Sequence, residues 1–513
     1  MAIGGEGRGL DPARARRDVA AGLERAFDAC AAAWLELGRD LGRTPSAGLA
    51  HTPACVANAS DLGQMMAWSR LVEEWTEDSG TTLVLCDDPW LFRHLAALPG
   101  VRADSPPPPL WRVEVRLALR GWVARTYRAL ALARAALALR KHRDGGKGGA
   151  TLLVYGHPAS TADGHDAYFG DLPSQLSGLG RVLHVDCPVE RARELGHSLH
   201  AHGHPLFALL TLPFARWRPS RRDLAGRHGW LVRRAAAREG GTAQAALIRW
   251  QIHCQARWLA ARRPRVVAWP WENHAWERAL VREARRRGVT TIGYQHSVIG
   301  RQMLNYAPGS NPDGVASLPD RIPCSGEATR DQLAAWGVPE DRLAIGGALR
   351  FPAAARVSHD REAPVFMALP FDGLVATEMV EAARDVVARG GRRFLVKDHP
   401  MSPHAFDDGP GVTRTRDPLG AHGALSAVVF AATTVGLEAL LAGLPTVRFR
   451  PRGRVSIDIL PAEAAAAVTV ADAEGLGAAL DTLDTLAAPP PLARDRVFAP
   501  VDLDLWRHLL GEI

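Results

Sequence analysis

Two stretches in the last third of the chain decide the fold: Phe394-Leu-Val-Lys-Asp-His-Pro-Met401 and Val428-Val-Phe-Ala-Ala-Thr-Thr-Val-Gly-Leu-Glu-Ala-Leu-Leu-Ala-Gly-Leu-Pro-Thr-Val447. Each begins with a short run of apolar residues, many of them β-branched or aromatic, and continues into polar or small residues. This order is typical of a buried strand followed by a loop, and the second stretch then continues with the pattern of a helix. In an open parallel sheet, polar residues in such places lie at the carboxyl ends of the strands, where ligands bind.

The polar residues at these two predicted strand ends suit an anion. The first strand ends in three polar residues and a proline, which cannot donate to a sheet: Lys397, Asp398, His399 and Pro400. The second leads into a helix through small and hydroxyl-bearing residues: Thr433, Thr434 and Gly436. Hydroxyl groups and free amides at a helix start bind anions. We predict that His399 and the two threonines converge on one phosphate.

The composition is that of an ordinary globular protein. The chain has 513 residues, enough for two or three domains, with 47% hydrophobic and 23% charged residues. Its net charge of +7 is modest for this length. Such a charge is most simply explained by solvated helix faces, and it also fits an acidic substrate, an anionic membrane surface or nucleic acid. We expect no nucleic-acid partner.

Cysteine usage and hydropathy favour a cytoplasmic protein. The six cysteines are scattered without any C-x-x-C pair, whereas disulfide frameworks and zinc sites need clustered spacing. The first residues lack the apolar core of a signal peptide. The longest uncharged stretch, from Gly423 to Leu437, is too short to span a bilayer. We therefore expect a cytoplasmic protein without a metal site, and a peripheral position at the inner face of the membrane stays open.

Apolar strand patterns alternate with helical patterns over most of the chain, which predicts two doubly wound α/β domains facing a cleft. Residues 1–75 are predicted to be a helical addition. The first Rossmann-like domain is predicted over 76–355, with 81–86 as its first strand. The second is predicted over 356–513 and contains both stretches quoted above.

A basic helical insertion is predicted within the first domain, over 106–148. Its main part, from Leu110 to Arg143, combines arginines with aromatic residues. Arg112, Arg116 and Arg120 are four residues apart and share one helix face. Such a helix is typical of contact with an anionic membrane surface. Its apolar residues do not form one clean face, which favours an ordinary helical hairpin packed within the protein.

Polar residues also follow the predicted strands of the first domain. Glu272 and His296 come directly after two consecutive strands, so both are predicted to point into the cleft. For Glu272, a helix-capping role is the alternative. Asp163 and Asp166 lie on the loop after an earlier strand and are candidates for a general base, unless that loop is merely solvated. Three tryptophans are expected in the core rather than under a sugar: Trp269, Trp271 and Trp276.

These residues resemble the HP and Ser/Thr-Ser/Thr motifs of bacterial GT-B glycosyltransferases. The resemblance is carried by Lys397-Asp-His-Pro400 and by Thr433-Thr-Val-Gly-Leu-Glu438 with the residues up to Pro445. Capsule Kdo transferases, polysialyltransferases and surface-carbohydrate biosynthesis proteins are the nearest such groups. The last group is also similar at Trp271–Arg278, Gly293–Ser297 and Tyr168–Pro173. The resemblance covers about residues 150–465, and CDP-glycerol phosphotransferases and nucleotide-sugar epimerases carry comparable elements.

The resemblance implies an α/β GT-B fold and a CMP-activated acidic sugar, such as Kdo or another nonulosonic acid, as donor. This donor is a substrate, so no separate cofactor and no metal is expected. Its phosphate is expected at His399, Thr433 and Thr434, with Glu438 reaching a ribose hydroxyl. The neighbouring Lys397, Pro400 and Gly436 belong to the same expected site. The acidic base motif of polysialyltransferases is not plainly present here.

The preferred function is therefore transfer of a sugar to a surface polysaccharide or a lipid-linked glycan. A CDP-alditol phosphotransferase is the first alternative, because it would use a similar nucleotide site to move a phosphorylated polyol. A non-catalytic glycan-assembly protein that keeps the fold, and an epimerase-like enzyme, are the others.

Overall fold

The structure is a computed structural model that describes residues 2–3, 19–50, 60–78, 80–144, 148–350, 357–390, 392–400, 402–485 and 492–511. It contains two large parallel sheets covered by helices, preceded by a helical region. Among the described residues, no helix is long and apolar enough to cross a bilayer.

The first part of the chain forms a helical layer with its own apolar core, which includes Phe27 and Trp68. Its helices are α1 (Val19–Ala29), α2 (Ala31–Gly42), α3 (Leu62–Trp75) and α4 (Pro89–Leu95). The next helix, α5 (Leu110–Ala138), buries Ala129, Leu132 and Ala133 in the core of the first large domain. Two short strands, β1 (Ala2–Ile3) and β2 (Leu85–Cys86), pair with each other in parallel. The prediction that 81–86 begins the first large sheet is wrong, because Val84 and Cys86 pack into the core of the helical layer.

The basic insertion forms one helix, α5, of 29 residues. The predicted helical hairpin is therefore wrong. Gly121 does not break the helix; it allows close packing, since a Cβ there would lie 1.8 Å from the carbonyl oxygen of Gly240. Arg125 is buried and donates to the carbonyl group of Gly240 at 2.6 Å. Arg120 is exposed and donates to the carbonyl group of Gly241 at 2.9 Å.

The first large sheet has five parallel strands: β3 (Ala150–Val154), β4 (Gly180–Leu183), β5 (His197–Ser198), β6 (Val266–Pro270) and β7 (Thr290–Tyr294). Their spatial order is β5-β4-β3-β6-β7. Two further strands, β8 (Ile322–Cys324) and β9 (Leu343–Ile345), continue beyond β7 through bridges such as Gln295 to Cys324. Strands β3 and β6 are buried throughout, as expected when helices cover both faces of a parallel sheet.

Eight helices occur along this part of the chain: α6 (Leu172–Gln175), α7 (Val189–Leu195), α8 (Pro205–Thr211), α9 (Arg221–Ala225), α10 (Gly229–Gly240), α11 (Gln244–Arg262), α12 (Ala275–Arg286) and α13 (Glu327–Ala335). Of these, α10 packs into the core of the helical layer through Leu231 and Val232. The core between sheet and helices contains Trp269, Trp271 and Trp276, each less than a tenth exposed. The expectation that these tryptophans are core residues is confirmed.

The second large sheet has six parallel strands: β11 (Val365–Ala368), β12 (Phe394–Lys397), β13 (Val412–Thr415), β15 (Ala427–Phe430), β16 (Thr446–Phe449) and β17 (Thr469–Ala471). A small strand pair, β10 (Ser358–His359) and β14 (Ala424–Leu425), lies apart from it. The remaining helices are α14 (Gly373–Gly390), α15 (Val435–Leu441), α16 (Ala462–Ala465), α17 (Leu476–Thr485), α18 (Arg494–Val497) and α19 (Leu503–Leu510).

Both sheets start in the middle and wind outwards in two directions. The order β13-β12-β11-β15-β16-β17 repeats the order of the first sheet, with the first and fourth strands of each domain side by side. This is the doubly wound Rossmann arrangement, which binds ligands where the winding changes direction. In this protein those crevices lie between β3 and β6 and between β11 and β15. The predicted α/β, GT-B-like fold of two Rossmann-like domains with N-terminal helical additions is confirmed.

The last helix returns to the first domain. In α19, Trp506 and Leu510 join the apolar core beside β3 and β7. The indole of Trp506 donates to the carbonyl of Gly346 at 2.9 Å, and Arg265 donates to the carbonyl of Leu510 at 3.3 Å. The predicted domain limits, 1–75, 76–355 and 356–513, divide the chain into consecutive segments. They therefore do not include the packing of α19 on the first domain.

Candidate functional site

The crevice of the first sheet carries two of the predicted residues, Glu272 after β6 and His296 after β7. An Oε1 atom of Glu272 lies 3.8 Å from Nε2 of His296. The side chain of His296 is 4% exposed and that of Glu272 is 38% exposed. The ring of His296 also packs edge-on against Tyr168, with centroids 4.9 Å apart. A solvent-accessible carboxylate and a buried imidazole therefore meet at the crevice.

Glu277, on the first turn of α12, holds the loop that carries Glu272. Its buried carboxylate accepts the backbone N–H of Glu272 at 3.1 Å and that of His274 at 3.0 Å. Burial raises the pKa of Glu277 well above its ordinary value, and the nearby Glu272 acts in the same direction. Asn273, between the two bonded amides, has the left-handed φ of 60° that asparagine tolerates.

The capping role considered for Glu272 thus belongs to Glu277, and the side chain of Glu272 is not used for it. The spacing from His274 to Glu277 is that of a capping box, so the sequence carried a signal for this role. The loop is also tied from the other side, because the amide of Asn305 donates to the carbonyl of Glu272 at 2.7 Å.

The imidazole of His296 is neutral near pH 7. Burial lowers its pKa to about 4; Glu272 opposes this shift and Arg350 adds to it. A neutral ring can accept or donate a hydrogen bond without adding charge to the crevice.

The two aspartates predicted as base candidates lie in different environments. Asp166 is completely buried, and its Oδ1 accepts the backbone N–H of Tyr168 at 2.9 Å and that of Phe169 at 3.0 Å. Asp163 is exposed, and a hydrogen bond from the Thr161 hydroxyl lowers its pKa. Asp166 therefore orders the loop that presents Tyr168, while Asp163 lies on the outside of that loop.

The second sheet presents the predicted phosphate residues along its carboxyl edge. His399 follows β12, Thr433 and Thr434 follow β15, and β11 lies between these strands. Neighbouring strands are about 4.8 Å apart, so the two groups start roughly 10 Å from each other. Phe371, just after β11, lies between them and places its ring perpendicular to that of His399, 5.7 Å away. A ligand that contacts His399 and both threonines has to span the end of β11.

The turn between β15 and α15 keeps hydroxyl groups available. The Thr433 hydroxyl accepts the N–H of Val435 at 3.5 Å, and the Thr434 side chain makes no capping hydrogen bond. Ala432 has φ 47°, a left-handed conformation that is strained for alanine. Strain of this kind concentrates at ligand-binding sites. Because α15 has only seven residues, the hydroxyl groups matter more here than its dipole.

Gly436 serves packing at this turn. A Cβ at this position would lie 2.5 Å from the ring of Phe430, so only glycine lets α15 rest on the end of β15. Pro400, on the other predicted strand end, is exposed.

Arg350, which the sequence did not single out, is electrostatically coupled to both domains. Burial raises the pKa of Glu438, on α15, and the charges of Arg350 and Lys397 oppose that shift. On the first domain, Arg350 lies over the ring of Tyr168, 5.1 Å from its centroid, and it helps to lower the pKa of His296. The charge of Arg350 therefore acts on one titratable group in each domain, His296 and Glu438.

Lys397 and His399, at the end of β12, differ in their surroundings. The ammonium group of Lys397 donates to the carbonyl of Arg416 at 2.7 Å. Burial lowers the pKa of His399 below its ordinary value.

A cavity of about 730 Å³ opens beside the second crevice. Phe371, Asp372 and Ala432 line it from the second domain, and the start of α4 lines it from the helical layer. The first half of α5 adds a further wall. This volume is in the range of small-ligand sites, about 300–1,000 Å³. His399 is not among the lining residues, but Phe371 contacts both the cavity and His399. The cavity therefore lies next to the predicted phosphate residues, and sequence patterns did not predict it.

Within the part of the chain that the structure describes, no group of three or more His, Cys, Asp or Glu side chains is arranged to hold a metal ion.

Comparison with known proteins gives similarity in structure but not in sequence. No protein-family model matches the chain, and no curated protein matches it. The UDP-GlcNAc 2-epimerase of Methanocaldococcus jannaschii is 10% identical, with a TM-score of 0.40 over 71% of this chain and 99% of that one. The enzyme of the same name from Neisseria meningitidis is 11% identical, with a TM-score of 0.41 over 71% and 100%. CalG4, the calicheamicin glycosyltransferase, is 13% identical, with a TM-score of 0.38 over 71% and 94%. Similarity at this level assigns neither a family nor an activity to the chain.

Proposed function

We propose that the protein is a glycosyltransferase that moves a sugar from a nucleotide donor to a surface-glycan or lipid-linked acceptor. The observation that carries this proposal is the pairing of Glu272 with His296 at the crevice of the first Rossmann-like domain. The charge of Arg350 acts on His296 there and on Glu438 in the second domain. Because Glu277 takes the backbone bonds of the loop, the carboxylate of Glu272 is not used for capping. It lies 3.5 Å from Nε2 of His274, is partly exposed, and is proposed to act on a substrate.

In the proposed reaction, Glu272 is the general base. It takes the proton of an acceptor hydroxyl as that oxygen attacks the anomeric carbon of the donor sugar. The bond between this carbon and the donor phosphate oxygen breaks, and the phosphate leaves with its nucleotide. General-base catalysis of this kind contributes about 10²–10⁴ in rate. His296, held 3.8 Å from Glu272, is a positioning residue for the carboxylate.

The donor is proposed to bind along the carboxyl edge of the second sheet. Negative charge grows on the leaving phosphate, so catalysis needs donors fixed beside it. His399, Thr433 and Thr434 are proposed to supply these donors, with the positive charges of Lys397 and Arg350 nearby. Glu438 is proposed to bind a ribose hydroxyl. A CMP-linked Kdo or other nonulosonic acid is the preferred donor, and this preference rests on the resemblance of the two sequence motifs.

The test is a donor panel with product analysis. Purified protein is incubated with CMP-linked nonulosonic acids, with CDP-alditols and with UDP-sugars, each with a lipid-linked glycan acceptor. Mass spectrometry then identifies the transferred group. Release of CMP together with an acceptor heavier by one sugar supports the proposal. A product heavier by a phosphorylated polyol assigns the alternative phosphotransferase, and a protein that consumes no donor and binds no nucleotide is a non-catalytic assembly protein.

A further inference from the structure

The exposed apolar side chains of this protein are concentrated on one surface. Among the described residues, nineteen large apolar side chains are exposed, and twelve of them lie on α5, on α8 or on the turn that follows α8. Scattered apolar residues are normal on a protein surface, but a contiguous group marks an interaction site. We call this group the α5–α8 surface.

On α5, the exposed apolar residues follow helical spacing. Trp111, Val115, Leu119 and Trp122 recur every three or four residues and form one stripe, which Leu130 continues along the helix. The stripe is strongly exposed: Tyr127, at its border, is 77% exposed. A helix face of this kind is usually buried against another element, and no described part of this chain covers it.

The short helix α8 extends the stripe sideways. It packs along α5 and exposes Leu206 and Leu210, and the turn after it exposes Phe214. Arg125 of α5 fixes this arrangement, because its Nε donates to the carbonyl of Pro213 at 3.1 Å. The exposed apolar side chains of α8 and its turn therefore lie on an element that packs directly against α5.

Arginines without acidic partners border the α5–α8 surface. Exposed arginines that form no ion pair with any described residue lie on α5 and on the segment after the turn that follows α8: Arg112, Arg116 and Arg134 on α5, and Arg216 and Arg218 on that segment. The one acidic residue of α5, Glu114, is paired with Arg233 at 2.5 Å. Burial lowers the pKa of Arg216, and the charge of Arg218 adds to this effect. The border therefore has a net positive charge that no described acidic residue neutralises.

We propose that the α5–α8 surface docks on a membrane that contains anionic lipids. Apolar and aromatic side chains enter the headgroup region, where tryptophan and tyrosine are favoured, and the arginines meet lipid phosphates. A second copy of the chain fits this surface less well, because it would bring the same unpaired positive charge.

The side of α5 opposite to the stripe faces the cavity. Val113, Leu117 and Arg120 point away from the stripe and line the cavity of about 730 Å³. One helix therefore separates the proposed membrane surface from the cavity. An acceptor anchored in the same membrane by a lipid would reach the cavity around this helix. This consequence rests on the proposed function, whereas the docking does not.

The docking is tested by sedimentation of the full chain with lipid vesicles, without nucleotide. The vesicles consist of phosphatidylcholine alone or of phosphatidylcholine mixed with phosphatidylglycerol. We expect the wild type to bind the mixed vesicles and to release them in high salt. The triple variant Trp111→Ser, Leu119→Ser, Trp122→Ser is expected to lose at least tenfold in partition coefficient. The matched control Leu374→Ser, Val470→Ser, Val501→Ser changes exposed apolar residues elsewhere and should bind like the wild type.

The contribution of charge has its own variants. The double variant Arg112→Ser, Arg116→Ser should bind mixed vesicles about thirtyfold more weakly, since each arginine near an anionic surface contributes about fivefold. The control Arg25→Ser, Arg389→Ser removes two exposed arginines elsewhere and should change binding less than twofold. Unchanged melting temperatures show that the variants fold.

Three results overturn the docking. The first is a wild type that sediments with neither kind of vesicle. The second is binding that the triple and double variants leave unchanged. The third is a wild-type dimer, seen by sedimentation equilibrium, that the triple variant dissociates, because a second copy would then cover the surface. None of these results depends on glycosyl transfer, so the proposed function is judged separately.

Discussion

An oxygen of Glu272 lies 3.8 Å from Nε2 of His296, across the ends of the neighbouring strands β6 and β7. The imidazole is buried and neutral, and the carboxylate beside it reaches solvent. The carboxylate of Glu277 accepts the backbone N–H groups of Glu272 and His274. Glu277 therefore caps α12, and the side chain of Glu272 is not needed for that. This relationship defines the reactive end of the proposed site.

Glu272→Gln removes the proposed base and keeps the size of the side chain. We expect kcat for sugar transfer to fall by about 10²–10⁴, with nucleotide affinity unchanged, because the base acts on the acceptor. The rate of nucleotide release and a binding titration measure the two effects. Glu340→Gln, at an exposed glutamate, is the matched control. Full activity of Glu272→Gln would rule out this residue as the base.

The burial of His296 predicts a dependence of stability on pH. Its folded pKa of about 4 lies below the ordinary value of 6.5. Between these two pH values the imidazole is protonated in the unfolded chain but not in the folded protein. Its contribution to stability is therefore present above pH 6.5 and is lost as the pH falls towards 4. His296→Gln lacks this proton, so urea unfolding at pH 7 and pH 5 should show a smaller loss for the variant. Equal losses would contradict a buried neutral ring.

The contact of Gly436 with Phe430 predicts a specific packing defect. Gly436→Ala places a methyl group 2.5 Å from the ring and should destabilise the protein by about 1–3 kcal/mol. Gly373→Ala, at a glycine with open space around it, is the control and should have little effect. Phe430→Leu in the same chain should recover part of the loss from Gly436→Ala. Simple additivity of the two changes in unfolding free energy would show that the contact is not the cause.

Glu24 of α1 forms a buried ion pair with the second domain. Its carboxylate accepts hydrogen bonds from Arg448 at 2.7 Å and from Arg450 at 2.6 Å. Burial alone raises the pKa of Glu24, but the two arginines outweigh it and lower the pKa. Glu24→Gln leaves the buried Arg448 with only the more distant Asp458, 3.9 Å away, as a described charge partner. Breaking a buried pair costs about 3–5 kcal/mol, so we expect a loss of up to that size in denaturant unfolding.

The control for this pair is Asp40→Asn, which breaks the exposed bridge to Arg43. Exposed pairs contribute about 0–1 kcal/mol, so this variant should unfold nearly like the wild type. Equal effects of the two substitutions would mean that the helical layer is not held on the second domain by Glu24.

The fold was accessible from sequence because strand ends and helix starts carry local signals. The apolar runs at β3, β6, β7, β11, β12 and β15 predicted strands, and their alternation with helices predicted parallel sheets. The short run at β2 misled for the same reason: Val84 and Cys86 have strand-like character but bury against helices. The return of α19 to the first domain depends on distant contacts such as Trp506 to Gly346, which no local pattern encodes.

The site was accessible only in part. Glu272 and His296 were predicted from their positions after strands, and the structure brings them together. Asp166 was a base candidate because its sequence context does not reveal that its carboxylate accepts hydrogen bonds from two backbone amides of the loop. Arg350 and Phe371 were missed, since their roles arise from meetings of separate segments. The convergence of His399 with Thr433 and Thr434 on one phosphate stays a prediction.

That convergence is the central claim, and nucleotide binding tests it most directly. Thermal unfolding is followed with and without CMP for the wild type, for His399→Ala and for His508→Ala, an exposed histidine on α19. At a CMP concentration one hundred times Kd, binding should stabilise the wild type by about 2.7 kcal/mol. We expect the same stabilisation in His508→Ala and none in His399→Ala. Equal stabilisation of all three proteins, or no response of the wild type to any cytidine nucleotide, would contradict the account.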